Sequence, residues 1–320
     1  PLKGRVFFQP AGCLWCPAGN SDGEQGWNYA ASFDPATNQW TQHGMPQFGV
    51  RNAPVTALLA LRPPTYAAQI LTATGTLNRA EVAVPFTEFT DLSKSPPTHV
   101  VGPQMAFSRW FANHVLLPDG TLVVVGGAKN DGVTVLGGDA NPVSPVKETE
   151  MYVPGQDPTK GAWQTLAPMS IDRIYHSTAL LLPDATVWVA GSVPAVLYSP
   201  ASPPRQDAVE IFEPPYLFRG PRPVIEQAPA QVTWDETFNV RTPDAKTVTA
   251  VMVRTGAVTH VYNPEQRVIE LVVENRTPGV ITLRAPPDAA LAPPGHYMLF
   301  LLKPTEKGPV PSVAPILKLA

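Results

Sequence analysis

His114-Val115-Leu116-Leu117-Pro118-Asp119-Gly120-Thr121-Leu122-Val123-Val124-Val125-Gly126-Gly127 is an apolar run, a tight Pro-Asp-Gly turn and a second apolar run closed by glycine. Thr178-Ala179-Leu180-Leu181-Leu182-Pro183-Asp184-Ala185-Thr186-Val187-Trp188-Val189-Ala190-Gly191 repeats the pattern further along the chain. Runs this short, rich in β-branched residues and joined by a turn, read as hairpins with both strands buried. A second repeat follows the same logic. Asp34-Pro35-Ala36-Thr37-Asn38-Gln39-Trp40 returns as Asp157-Pro158-Thr159-Lys160-Gly161-Ala162-Trp163, each time after a strand-like run, Tyr29 to Phe33 and Glu150 to Val153.

A hairpin, a third strand and a turn before Trp make the four-stranded blade of a kelch-type β-propeller. The composition agrees: 39 prolines with only 15% charged residues disfavour long helices and suit short strands joined by rigid turns. The fold class is therefore all-β, and the stretch to about Pro215 holds some four blades. Rings close with roughly 4–8 blades, and insertions such as Ala128 to Lys147 suit the larger ones. The expectation is a partial propeller, seven-bladed when complete, whose remaining blades lie on an upstream segment or a second chain; a compact four-bladed ring is the alternative. Beyond Tyr216-Leu217-Phe218-Arg219-Gly220-Pro221 the strands shorten and alternate: Gln231 to Thr233, Thr237 to Val240, Ala250 to Arg254, Val268 to Val273, Val280 to Arg284, His296 to Leu302 and Ala314 to Leu319. That density of strands indicates an immunoglobulin-like β-sandwich. The division expected is residues 1–220 for the blades and 221–320 for the sandwich.

Several function classes fall away. A net charge of −3 with scattered basic residues gives no footprint for nucleic acid. No stretch approaches 18 unbroken apolar residues, so membrane insertion is not expected. The low charge and many prolines suit an extracellular, secreted or cell-surface protein. Cys13 and Cys16, in Cys-Leu-Trp-Cys spacing, suit a disulfide in such a setting, with free thiols or a crosslink as alternatives.

Arg173-Ile174-Tyr175-His176-Ser177, with the Leu-Leu-Leu-Pro-Asp turn and Ala190-Gly191-Ser192 after it, resembles a motif of glyoxal oxidase and, less closely, galactose oxidase. Arg254-Thr255-Gly256-Ala257-Val258-Thr259-His260-Val261-Tyr262-Asn263-Pro264-Glu265-Gln266-Arg267 resembles the Thr-His motif of the same family, and Pro293-Pro294-Gly295-His296-Tyr297-Met298-Leu299-Phe300 with Val310-Pro311-Ser312 its last two strands. The family is the copper radical oxidases. The resemblance implies one copper ion, with Tyr175 as axial phenolate and base and with His176 and His260 as imidazole ligands. It also implies a Cys-Tyr crosslinked radical cofactor, expected upstream of this chain, and a small aldehyde, alcohol or carbohydrate as substrate. Imidazole and anionic oxygen are donors that suit tetragonal Cu(II).

Other residues carry weaker signals. Val50-Arg51-Asn52-Ala53-Pro54 resembles an Arg-Asn-Tyr-Pro stretch on the substrate face of glyoxal oxidases, with Ala53 in place of the aromatic residue. Arg51 is thus a substrate candidate or a hydrogen-bonded turn residue. Trp110-Phe111 hold, one blade earlier, the positions of Tyr175-His176, and either line a pocket or pack the blade. His43, His99, His114 and His296 read as surface or packing residues. The leading reading is an oxidase that turns an aldehyde or primary alcohol over with O2 and releases hydrogen peroxide. The alternative keeps the fold without activity, as a binding or structural module.

Overall fold

The computed structural model describes residues 4–8, 30–49, 51–77, 82–131, 142–192 and 207–320. Cys13, Cys16 and Tyr29 lie outside them, so the disulfide expectation is not addressed. Within the described residues the chain is all-β. Strands β1 (Val6–Phe8), β2 (Ala31–Asp34) and β3 (Gln39–Gln42) form one antiparallel sheet. Next come β4 (Arg51–Asn52), β5 (Val55–Leu58), β6 (Gln69–Ala73), β7 (Thr76–Leu77), β8 (Thr87–Asp91) and β9 (Thr98–Val101); β5-β6-β8-β9 make a four-stranded blade and β4 pairs with β7. The same order recurs in β10 (Asn113–Leu116), β11 (Leu122–Val125), β12 (Ala128–Asp131), β13 (Pro142–Pro145), β14 (Thr149–Val153) and β15 (Ala162–Leu166), where β10-β11-β14-β15 is the blade and β12-β13 a side ribbon. Strands β16 (Ser177–Leu181), β17 (Val187–Gly191) and β18 (Glu210–Phe212) make the last of these sheets.

Both hairpins read from the sequence are present, as β10-β11 and β16-β17. Each reverses at a Pro-Asp pair whose carboxylate accepts from the threonine two residues on: Asp119 Oδ1 from Thr121 Oγ1 at 2.6 Å and Asp184 Oδ1 from Thr186 Oγ1 at 2.7 Å. This is the local side-chain bonding that makes Asp a turn former. All residues of β10 and β11 are buried, as the unbroken apolar runs demanded.

A buried arginine pins each of three blades, four residues ahead of its inner strand. Arg51, Arg109 and Arg173 precede Val55, Asn113 and Ser177, and face Glu88, Glu150 and Glu210 on the third strand at 3.9, 2.7 and 3.3 Å. The guanidiniums spend their remaining donors on carbonyls: Arg51 on Thr72, Thr74 and Phe86, Arg109 on Phe107, Gly126 and Glu148, Arg173 on Gly191 and Ala208. Buried charges survive only when paired and hydrogen-bonded in this way. Arg51 is therefore the arginine of its blade. Only 2% exposed, it has no surface to offer a substrate, which corrects that candidate role.

The C-terminal sheets are β19 (Gln231–Val232), β20 (Thr237–Arg241), β21 (Thr249–Arg254), β22 (Val268–Glu270), β23 (Val272–Thr277), β24 (Val280–Arg284), β25 (Gly295–Lys303), β26 (Val310–Pro311) and β27 (Ile316–Leu319). One sheet runs β19-β27-β25-β21-β22 with β26 on β25; the other is β20-β24-β23. The run Val268 to Val273, expected as one strand, is divided: β22 pairs with β21, β23 pairs with β24, and Leu271 between them turns the chain from one sheet to the other. The larger sheet is buried on both faces. Ala250, Met252, Tyr297, Leu299 and Leu301 point into the sandwich core, while Val251, Val253, Met298, Phe300 and Leu302 join the core that also holds Val115, Leu122 and Val187 of the blades. The period-2 alternation of a strand thus welds the sandwich to the blades.

Candidate metal site

Ile174 to Ser177 forms a turn closed by the Ser177 N–H donating to the Ile174 carbonyl at 3.1 Å. His176, its third residue, has φ +60°, the left-handed conformation that a type II turn demands at that position and that usually falls to Gly or Asn. The turn is held from three sides. Ser177 Oγ donates to the Ile174 carbonyl at 2.6 Å, the Ile174 N–H donates to Ser192 Oγ at 3.1 Å, and Asn113 Nδ2 on β10 donates to Ser177 Oγ at 2.7 Å. The result stacks the rings of the consecutive residues Tyr175 and His176, their centroids 3.8 Å apart.

His260 arrives from the loop between β21 and β22. Thr259 and Tyr262 exchange both backbone hydrogen bonds, at 3.0 and 2.9 Å, leaving a two-residue tip of His260 and Val261 with φ of +53° and +65°. Positive φ at both central residues is the type I′ hairpin turn. A left-handed β-branched residue costs on the order of 1–2 kcal/mol, so the conformation persists because its surroundings impose it. Val261 is buried against Phe111, Trp110, Ile174 and Tyr175. This plug sets His260 beside the blade turn: its ring centroid lies 5.1 Å from that of His176 and 5.8 Å from that of Tyr175. Thr259 Oγ1 lies 2.8 Å from His260 Nδ1.

Burial, with the nearby Tyr175 adding to it, pushes the Tyr262 phenol up to about 12. Tyr175 is buried, whereas His176 and His260 are exposed. Among the described residues no group of three His, Cys, Asp or Glu side chains stands close enough to hold a metal ion; beside the two imidazoles stands the Tyr175 phenol.

The structure thus brings together Tyr175, His176 and His260, and leaves the other candidates apart. Trp110 and Phe111 are each 1% exposed; Trp110 Nε1 donates to the Asn130 carbonyl at 3.0 Å, and the Phe111 ring lies 4.6 Å from that of Tyr175. They pack beneath the site, and their burial corrects the pocket-lining reading. His114 is buried, and desolvation brings its pKa down to about 4; His43 and His99 bond Ser32 and Thr90. Sequence reasoning missed Asn113, Val261 and Gln266. For Asn113 and Gln266 the signal was a polar residue within, or beside, an apolar run; Val261 had none beyond its place after His260.

Comparison with known proteins bears on what this arrangement is. Residues 86–216 match the family model "Glyoxal oxidase N-terminus", and residues 222–319 match "Galactose oxidase-like, Early set domain". The aldehyde oxidase GLOX of Vitis pseudoreticulata is 34% identical over 225 residues, 66% of this chain and 41% of that protein. The galactose oxidase of Gibberella zeae is 32% identical over 231 residues, 70% of this chain and 31% of that protein. The chain therefore spans less than half the length of these curated relatives. A solved fungal alcohol oxidase in complex with copper superposes with a TM-score of 0.78 at 27% identity, over 92% of this chain and 60% of that one.

Proposed function

The chain belongs to the glyoxal oxidase and galactose oxidase family, and from that premise we propose that it is the copper-holding part of an oxidase that converts an aldehyde or primary alcohol and delivers the electrons to O2. The observation that carries the proposal is the meeting of the Tyr175, His176 and His260 rings from two regions of the chain. The donor set fits the metal: imidazole nitrogen and phenolate oxygen suit Cu(II). Tyr175 Oη, His176 and His260 would hold it, and bound copper would supply one-electron redox chemistry. With His260 Nδ1 engaged by the Thr259 hydroxyl, Nε2 is the nitrogen left to face a metal.

For an alcohol the balance is a loss of two electrons and two protons, matched by reduction of O2 to hydrogen peroxide. Tyr175 Oη, as phenolate, takes the hydroxyl proton of the bound alcohol or hydrated aldehyde. Its ring is held for this by His176 on one side and Phe111 on another. A second redox centre is needed for the second electron; the family's is a Cys-Tyr crosslink, which this reading places upstream of the chain. The division into blades, 1–220, and sandwich, 221–320, and a secreted location belong to the same reading. Among the described residues no helix is long and apolar enough to cross a membrane.

The test is a Cu(II) titration of the 320-residue chain, followed by a peroxide-coupled assay with glyoxal, methylglyoxal and galactose on the chain and on the complete protein. Cu(II) binding by the chain, lost in His260→Ala, with peroxide only from the complete protein and not from its Tyr175→Phe variant, is expected. A chain that binds no Cu(II) sinks the proposal. Copper-dependent turnover by the chain alone would show that the second centre lies within it. A complete protein that binds copper without turnover would be the non-catalytic module.

A further inference from the structure

Strand β10 contributes no ring to the site, yet it touches both elements that do. Its first residue, Asn113, donates through Nδ2 to Ser177 Oγ at 2.7 Å. The amide orientation is fixed, because the single hydroxyl hydrogen of Ser177 already goes to the Ile174 carbonyl. Its last residue, Leu116, lies on the free edge of the blade, where the order β10-β11-β14-β15 leaves one side of β10 without a strand. There Gln266, from the loop that carries His260, supplies a side-chain amide in place of a neighbouring peptide. Gln266 Oε1 accepts from the Leu116 N–H at 2.7 Å and Gln266 Nε2 donates to the Leu116 carbonyl at 3.0 Å, both bonds buried and 150 residues apart in sequence.

We propose that β10 is the ruler of the metal site, with Asn113 and Gln266 as positioning residues that fix the Tyr175-His176 turn and the His260 hairpin to one strand. Their anchor points are three residues apart, about 10 Å along an extended chain. A strand paired on its other edge with β11 is rigid on that scale, so the separation of the imidazoles is set by the blade between them rather than by the loop. Val261 anchors the tip of that loop in the core beside Tyr175, and Gln266 anchors its base to the strand.

The significance of the ruler rests on the copper reading, but its geometry is tested without metal. Selectively labelled histidine spectra of the metal-free chain are expected to show ring cross-peaks between His176 and His260. Gln266→Met and Asn113→Leu, near-isosteric and without the amide, are expected to lose them and to weaken Cu(II) binding at least tenfold. Gln266→Asn keeps the amide one methylene shorter, and serves if Gln266→Met does not fold; its cross-peaks should weaken. Val240→Ala, in the core of the sandwich far from the loop, lowers stability and should leave the cross-peaks intact. Cross-peaks that persist in the Gln266 and Asn113 variants, or that vanish equally in Val240→Ala, overturn the ruler. A parent chain with the cross-peaks but without Cu(II) affinity would sink the copper reading and leave the ruler standing.

Discussion

In the blade built on Arg109 the left-handed residue ahead of the hairpin is Phe111, with φ +55°; in the blade built on Arg173 it is His176, with φ +60°. Each stands seven residues before the proline of its hairpin, Pro118 or Pro183. Counted from the blade arginine, however, they differ: Phe111 is two residues on and His176 three. The blade of Arg51 follows the shorter count, with Ala53 at φ +42°. The arginine stands four residues ahead of the inner strand in all three blades. In the last, the left-handed residue therefore falls one place nearer the strand, as third residue of the Ile174 to Ser177 turn, where two consecutive rings stack. One blade buries both members of its aromatic pair as packing, and in the next the tyrosine stays buried while the histidine is exposed. A repeat architecture supplies the scaffold, and a single local departure from it supplies the site.

The blades should also differ in how they tolerate loss of their arginine. Arg109→Met leaves Glu150, which like Arg109 is 0% exposed, without its ion partner, and is expected to cost about 3–5 kcal/mol in urea unfolding. Arg173→Met should cost less, because the Glu210 side chain keeps 20% exposure and bonds to the Ser170 N–H and Oγ. Equal losses would show that the pairs are not graded by burial.

The two left-handed residues offer the sharper contrast. Phe111→Ala empties buried volume beneath Tyr175 and is expected to cost about 3–5 kcal/mol. His176→Ala removes an exposed ring and should stay within about 0.5 kcal/mol of the parent in stability, while Cu(II) affinity falls about 100-fold, at least as much as losing an outer partner of a ligand. A His176→Ala variant that binds Cu(II) as tightly as the parent would remove that histidine from the site.

His114, on the hairpin beside Phe111, sets a pH dependence. Burial lowers its pKa from an ordinary 6.5 to about 4, so between those values the unfolded chain takes up a proton that the folded chain refuses. Stability therefore falls as pH drops through this window, by roughly 3 kcal/mol in total. Chemical denaturation at pH 7 and pH 4 should show that part of the loss vanish in His114→Leu; an unchanged pH profile would mean that the imidazole titrates normally in the fold.

A smaller effect than that of His114 distinguishes the two hairpin turns. Gly120 has φ +85°, and a Cβ there would come within 3.1 Å of Arg62 Nη2, whereas the equivalent position in the next blade is Ala185 at φ +67°. Gly120→Ala is expected to cost about 1–2 kcal/mol, the left-handed penalty of an L-residue. A neutral result would show that the two turns are interchangeable.

Much of this was legible in residues that argue locally. The Pro-Asp turns between apolar runs announced the hairpins because turn chemistry and strand patterning act within a few residues. Tyr175, His176 and His260 were legible through the two motifs that contain them. For Arg51 the sequence left two readings open, a substrate candidate or a hydrogen-bonded turn arginine, and what favours the second is a glutamate on the third strand of its own blade together with three carbonyls. The division of Val268 to Val273 at Leu271 was hidden too, since an apolar run looks the same whether it serves one sheet or two.

The sequence by itself determined the all-β class, the blade repeat, the sandwich after it and the identity of the three rings, since each is encoded in short-range pattern or in a contiguous motif. Only the tertiary structure decided that the rings meet, that Trp110 and Phe111 lie beneath them, and that Gln266 reads the edge of β10. Those contacts join residues far apart in the chain, and whether a buried polar group becomes a clamp, an orphan or a ligand depends on which partner packing brings within hydrogen-bond reach.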